Sequence, residues 1–454
     1  WDLSLPTTAP GGAAPRPAQP LTDLDFHSGA RISELNQLVQ ELSKRTARDP
    51  GVRAAPELVV LKDFVFSLLG VVQQLDGRLP GANEYLLLSG GACQGTVDVD
   101  PGVLGRSAPG ADYDADYTLL VPVLQAGGCP VTLDMRRCPP GHAWLPLAPF
   151  GPEACHRWAD CCRHHGDEAY LAPGLVSAWF SQALGAVADR ARGAPRRGGP
   201  AVERVAGRGG LVTLLLSQGA VRALYDVVPV VAFQGWPAAA REWLGRSHFW
   251  DGKLSEEDVA GGFYLLPGSG PASGLAWRLS FSRSELHLKR AVPPPLLRAH
   301  RAAMAALGGA WGGRVGPYHL WSLVLWACDR LPARYLGREE NAAHCLLGLL
   351  DDMAAGLGAG AAPHYFLPGC DRLVGGAEPG LARAVAAVRG DPVGHLRRAV
   401  ERVKMAAKLG RGPEVNPSPS ALGGEWGLVV RAGGAGSQDS WVLSPVYSGG
   451  FGSI

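Results

Sequence analysis

Near residue 282 the chain changes its pattern, and that change constrains the fold more than any other feature. Upstream, short runs rich in apolar and β-branched residues recur at 84–88, 113–123, 131–134, 212–216 and 223–233, and end at 277–282. Their length and composition read as strands. Downstream, residues 296–307, 319–331, 341–357 and 381–405 carry apolar side chains at helical spacing with few β-branched runs. Ahead of the first strand, Leu35, Leu38, Val39 and Leu42, then Leu58, Phe64, Phe66 and Leu69, repeat at the spacing of two helices. The pattern predicts an α+β chain, with a mixed β-sheet lobe carrying long N-terminal helices, followed by a helical-bundle lobe.

The borders follow from composition. Residues 1–21, dense in Pro, Ala and Gly, read as a disordered leader, and 409–454, rich in Gly, Ser and Pro, as a tail. Between them lie a sheet lobe at 22–285 and a helical lobe at 286–408. Within the tail, the stretches 426–430 and 441–443 have the pattern to pair as strands or to dock on a partner. Trp rather than Met at position 1 points to a true N-terminus beyond this sequence. Lys and Arg number 43 against 41 Asp and Glu. That balance predicts neither nucleic acid nor an anionic membrane as an obligatory partner. The apolar runs 64–72 and 320–328 are shorter than a bilayer requires and are flanked by Lys62, Asp63 and Asp329, which argues against a membrane span.

Nine cysteines, at 93, 129, 138, 155, 161, 162, 328, 345 and 370, are odd in number and irregularly spaced. They read as free thiols of a reducing compartment, hence a cytoplasmic protein, with the nucleus as the alternative. Cys155, His156, Cys161, Cys162, His164 and His165 fall within eleven consecutive positions. A structural zinc site repeats a closely spaced ligand pair at a distance, and no second pair follows, so no zinc is expected. Arg190, Arg192, Arg196, Arg197, Arg204 and Arg208 surround a Gly-rich loop, which reads as solvated loop charge or as a polyanion-contacting surface.

Asp112-Tyr-Asp-Ala-Asp116 runs directly into an apolar strand. Alternation along a strand puts the three carboxylates on one face, where they either fan into water or share cations such as Mg²⁺. Upstream, Leu86-Leu-Leu-Ser-Gly-Gly91 ends a strand in small residues that open a turn, and backbone amides there suit a phosphate. Downstream, Asp226 stands inside Tyr225-Asp-Val-Val-Pro-Val-Val231, and a carboxylate in so apolar a run needs a cation or a donor.

These motifs together resemble the nucleotidyltransferase core of the Mab-21 family, which includes cyclic GMP-AMP synthase. Gly235-Trp-Pro237, Trp277-Arg-Leu-Ser-Phe-Ser-Arg-Ser-Glu285, Tyr318-His-Leu320, Trp326-Ala-Cys-Asp-Arg-Leu-Pro332 and His364-Tyr-Phe-Leu-Pro368 extend the likeness over residues 22–408. Tyr85-Leu-Leu-Leu-Ser-Gly-Gly91, Pro130-Val-Thr-Leu-Asp-Met-Arg136 and His248-Phe-Trp-Asp-Gly-Lys253 narrow it to one branch. The resemblance implies a two-lobed nucleotidyltransferase fold. It places the catalytic, Mg²⁺- or Mn²⁺-holding acids at Asp112, Asp114 and Asp226, with Asp116 as an extra. It puts nucleotide contacts at Gly90, Gly91, Arg278, Ser280, Ser282 and Glu285.

Three departures qualify what is implied. Gly91 replaces the phosphate-gripping serine of active members, and Asp352 falls where the synthase stacks a nucleobase on an aromatic ring. The interval between Glu285 and Tyr318, where the synthase carries its zinc insertion, has no cysteine, so DNA binding is not implied. Two functions remain. One is an enzyme that joins nucleoside triphosphates into a cyclic dinucleotide after a stimulus, which the acid triad favours. The other is a catalytically silent binding or scaffold protein whose helical lobe and tails engage protein partners, which Gly91 and Asp352 favour.

Overall fold

The structure, a computed structural model, describes residues 29–46, 56–79, 84–89, 115–126, 132–193, 198–208, 210–268, 274–310, 317–370, 378–408, 428–431 and 443–445. Two helices open it, α1 (Gly29–Thr46) and α2 (Pro56–Leu75). There follow β1 (Glu84–Ser89), β2 (Ala115–Ala126), β3 (His142–Ala143), β4 (Leu145–Pro146), α3 (Pro152–Arg157), β5 (Cys162–His165), β6 (Glu168–Leu171) and α4 (Pro173–Gly193). Next come β7 (Ala201–Arg208), β8 (Leu211–Gln218), β9 (Val221–Gln234), α5 (Arg241–Leu244), α6 (Glu256–Ala260), β10 (Gly262–Pro267), β11 (Trp277–Ser280) and α7 (Ser282–Ala291). The helical part is α8 (Pro294–Leu307), α9 (Pro317–Arg330), α10 (Ala333–Leu336), α11 (Ala342–Ala359), α12 (Pro379–Gly390) and α13 (Pro392–Lys408), with β12 (Leu428–Arg431) and β13 (Leu443–Pro445) after it.

The strands form one large mixed sheet in the order β13-β12-β1-β2-β9-β10-β11-β3, with β8 paired to β9 and β7 to β8. At its centre β9 runs parallel to β2 along one edge, while its other edge pairs first with β8 and then with β10. Ala223 to Val231 are all buried, as expected of a strand covered on both faces. Two prolines interrupt the central pair, and each sits where a missing N–H costs little. Pro122 lies at the register shift of β2, and Pro229 lies in the gap of β9 between its β8 and β10 partners.

Alternation divides the sheet into two faces. Tyr117, Leu119 and Val121 of β2, Val212 and Leu214 of β8, and Tyr225 and Val227 of β9 join the main core, where α2 and α4 pack on the sheet. On α4, Val176, Phe180, Leu184 and Val187 form the buried stripe. The opposite face carries a smaller apolar cluster of Leu120, Leu211, Val228, Val230, Tyr264 and Leu266, with Leu286 of α7 against it.

In the helical lobe α8, α9, α11, α12 and α13 pack together, and α1 joins them through α8, α11 and α13. The Asn36 carboxamide accepts a hydrogen bond from the Ala343 N–H at 3.1 Å, satisfying one of the open donors at the start of α11. That helix ends on Gly360 at φ 63°, a left-handed cap that glycine adopts without strain.

Several expectations need correction. The periodic stretch 381–405 is two helices, because Pro392 cannot continue α12. Asp391 Oδ1 instead accepts from the Gly394 N–H at 2.9 Å and starts α13. The strand expected at 131–134 reduces, among the described residues, to an isolated bridge between Asp134 and Trp144. The membrane expectation is qualified by α2, which continues through Lys62 and Asp63 and is by length and composition alone long and apolar enough to cross a bilayer, a test that a buried core helix also passes. Its inner side, including Leu58, Leu61, Lys62 and Val65, is nevertheless buried in the protein. The leader 1–21 lies outside the described residues. In the tail, β12 pairs with β1 and β13 with β12.

Candidate functional site

Asp226 lies on β9, on the face opposite α2 and α4, between Thr118 of β2 and Thr213 of β8 in adjacent register. It is 7% exposed. The Thr213 hydroxyl donates to Asp226 Oδ1 at 2.5 Å. Burial pushes its pKa up to about 6, with the Thr213 bond pulling the other way. A buried carboxylate with one hydroxyl donor is poised to gain from a cation.

Of the other expected acids, Asp112 and Asp114 lie outside the described residues, as do Gly90 and Gly91. Asp116 is the second residue of β2, in register with Leu224, two positions before the Thr118–Asp226 pair. The backbone thus brings the end of the acidic run beside the strand that holds Asp226.

The remaining predicted contacts gather where β11 passes into α7. Arg278 is in register with Leu266 of β10 and His142 of β3. The hydroxyls of Ser280 and Ser282 are 2.8 Å apart and buried. Glu285, one turn into α7, is 2% exposed, and its Oε1 accepts from the Tyr318 hydroxyl. His364 completes the chain. Its Nδ1 accepts from the Phe366 N–H at 3.2 Å, so the neutral ring carries its proton on Nε2, 3.4 Å from the Tyr318 oxygen. Glu285 is therefore tied to α9 and to the loop after α11.

The motifs outside the expected site meet in a second network. Trp243 contacts the rings of Trp236, His248, Trp250, Tyr365 and Phe366. His248 Nε2 donates to the Trp243 carbonyl at 2.6 Å, and the Tyr365 hydroxyl donates to Asp329 Oδ2 at 2.8 Å. The Phe249 N–H reaches Asp329 Oδ1 at 3.1 Å. Arg246 lies over the rings of Trp326 and Tyr365 and donates to the Tyr365 carbonyl. The residues that made the sequence recognisable thus join the sheet lobe to α9 and the 364–368 loop. Sequence reasoning had the motifs but no signal that they converge.

Asp352, expected at the base-stacking position, is on α11 and ion-paired with Arg330. In the cysteine-histidine stretch, burial pushes the Cys161 thiol up to about 12 and that of Cys162 to about 11. His164 and His165 are exposed on β5. Among the described residues no group of three or more His, Cys, Asp or Glu is arranged to hold a metal.

The sequence profile of the Mab-21 protein nucleotidyltransferase domain matches residues 125–288, a span that includes Asp226, Arg278, Ser280, Ser282 and Glu285. Two curated relatives cover almost their whole length. Transmembrane protein 102 of Bos taurus is 37% identical over 87% of this chain and 95% of its own. Transmembrane protein 102 of Mus musculus is 36% identical over 88% and 96%. Their name differs from that of the branch suggested by the sequence, Mab-21 domain-containing protein 2. The nucleotidyltransferase-domain match, reinforced by the shared motifs and the mixed sheet joined to a helical bundle, makes this chain a member of the Mab-21 family.

Proposed function

We propose that this Mab-21 protein binds a magnesium-bound nucleoside triphosphate on the Asp226 face of its sheet. The observation that carries this reading is Asp226 itself, a buried carboxylate on the central strand supported, among the described residues, by a single threonine hydroxyl. Its hard oxygen donor suits Mg²⁺ or Mn²⁺. Asp112, Asp114 and Asp226 would hold the ion, which when bound supplies charge for phosphoryl transfer. Thr213 fixes the Asp226 carboxyl in place. Gly90, Gly91, Arg278, Ser280 and Ser282 would orient the nucleotide. Synthesis of a cyclic dinucleotide after an unknown stimulus is the finer form of this reading.

Calorimetry with ATP, GTP, CTP and UTP in Mg²⁺ or Mn²⁺ is expected to show metal-dependent binding that Asp226→Asn weakens. Product chromatography then reads turnover. Absence of binding at millimolar nucleotide would remove the proposal.

One observation favours the catalytically silent alternative. Glu285 is buried under Tyr318, and Asp352 is engaged by Arg330, so one position expected to contact a nucleotide and the one expected at the base-stacking place serve the protein's own packing. In that case the helical lobe and tails engage protein partners. As for location, all seven described cysteines are free, in keeping with a cytoplasmic or nuclear protein. The name of the relatives suggests a membrane, for which α2 would be the segment; a span would require it to leave the sheet it now covers.

A further inference from the structure

Sheet register places basic residues on the Asp226 face as well. Arg204 of β7 is in register with Leu215 of β8, which pairs with Leu224 of β9, which pairs with Asp116 of β2. Val202 and Val205 of β7 pack into the main core, so Arg204 belongs to the acid face. It is exposed and makes no ion pair among the described residues. On the same face, at the start of β9, stands Arg222, whose Nε and Nη2 grip the Glu203 carboxylate at 3.1 and 2.5 Å. Glu203 is the extra residue at the register shift of β7, between Val202 and Arg204. A bulge there re-aims its carboxylate across β8 onto Arg222.

From Arg204, we propose that this end of the face is a polyphosphate-binding rim. Arg204, together with Arg222 once Glu203 lets go, takes the terminal phosphates of a ligand whose metal rests on Asp226. The bidentate Arg222–Glu203 geometry is one that a phosphate oxygen pair also satisfies, so Glu203 is a built-in stand-in for the ligand. Spacing agrees. β7 is two strands from β9, and at about 4.8 Å per strand the Arg204 backbone is roughly 10 Å from that of β9, within reach for a long side chain and an extended polyphosphate. A polyphosphate is favoured over an acidic peptide because Asp226 shares this face, and its carboxylate repels an anion unless a divalent cation lies between.

The inference rests on the nucleotide reading, and its test separates the two. The full chain is titrated calorimetrically with inorganic tripolyphosphate, without metal and with Mg²⁺, and with MgATP. For metal-free tripolyphosphate, Arg204→Gln is expected to weaken binding about tenfold, the scale of a lost charge-assisted bond. Glu203→Gln, which removes the ion pair that occupies the Arg222 fork, is expected to tighten it about threefold on the same scale. Asp226→Asn is expected to abolish only the Mg²⁺-dependent gain. Tripolyphosphate binding that falls in Arg204→Gln, with no nucleotide binding, would keep the rim and remove the nucleotide reading. MgATP binding lowered by Asp226→Asn but untouched by both β7 variants would keep the nucleotide reading and overturn the rim. No tripolyphosphate binding at all overturns the rim as well.

Discussion

The junction between the lobes and the acid face of the sheet supply their carboxylates in different ways. At the junction, Asp329 receives the Tyr365 hydroxyl and the Phe249 N–H, Glu285 receives the Tyr318 hydroxyl, and the rings of Trp243, Phe281 and Phe366 pack together. On the acid face Asp226 receives one threonine hydroxyl and sits at a raised pKa. The first arrangement supplies its carboxylates with donors from the protein itself and joins the lobes, although Trp250 Nε1 and Trp326 Nε1 are buried without a hydrogen-bond partner among the described residues. The second bears a cost in the folded state that a bound cation would remove.

That contrast is broken most directly at Trp243, which packs at the centre of the junction. Trp243→Ala is expected to cost about 3–5 kcal/mol of unfolding free energy in urea melts, the scale for deleting a buried aromatic side chain. A loss below about 1 kcal/mol would show that the junction is not what holds the lobes. The acid face predicts the reverse sign. A carboxyl whose folded pKa is raised from 3.8 to about 6 binds more protons folded than unfolded between those values. Wild-type stability should therefore fall by about 2–3 kcal/mol from pH 4 to pH 6 in chelator, then level off. Asp226→Asn should lack that fall, and Mg²⁺ at pH 7 should restore stability to wild type only. Equal pH slopes in the two proteins would mean that Asp226 is charged and compensated as it stands. The smallest effect is expected at Tyr318. Tyr318→Phe removes the hydroxyl that Glu285 accepts and should cost about 1–2 kcal/mol, read as a shift of the urea midpoint at constant slope. A gain instead would make Glu285 a strained ligand-binding group.

Asp226 was legible in the sequence because an acid inside seven apolar residues has few structural explanations, and β9 was legible because β-branched residues crowd there. The strand β10 was not, since a six-residue apolar run does not separate strand from helix by periodicity. β7 was hidden for another reason. It covers the core with only Val202 and Val205, and its intervening Glu203 and Arg204 read as loop charge until β8 pairs with them. The Tyr318–Glu285 contact joins residues 33 positions apart, and the Tyr365–Asp329 contact joins residues 36 apart. No local pattern encodes such pairs. The Gly90–Gly91 turn and the Asp112–Asp114 pair lie outside the described residues and stand as expectations from the sequence.

The packing of α1 has a consequence for the order of assembly. Asn36 meets Ala343 across 307 positions, and Glu34 pairs with Arg397 across 363. At about 5–20 residues per second, roughly 15–60 s of synthesis separate Asn36 from the helix it caps. Strands β1 to β11 are all made within that wait. Leu35, Leu38, Val39 and Leu42, all buried in the finished protein, lack their full set of partners until α8, α11 and α13 have emerged. A nascent chain of this protein therefore carries its first apolar helix open to chaperones until those helices emerge, and any truncation ahead of α8 leaves that helix permanently without a seat.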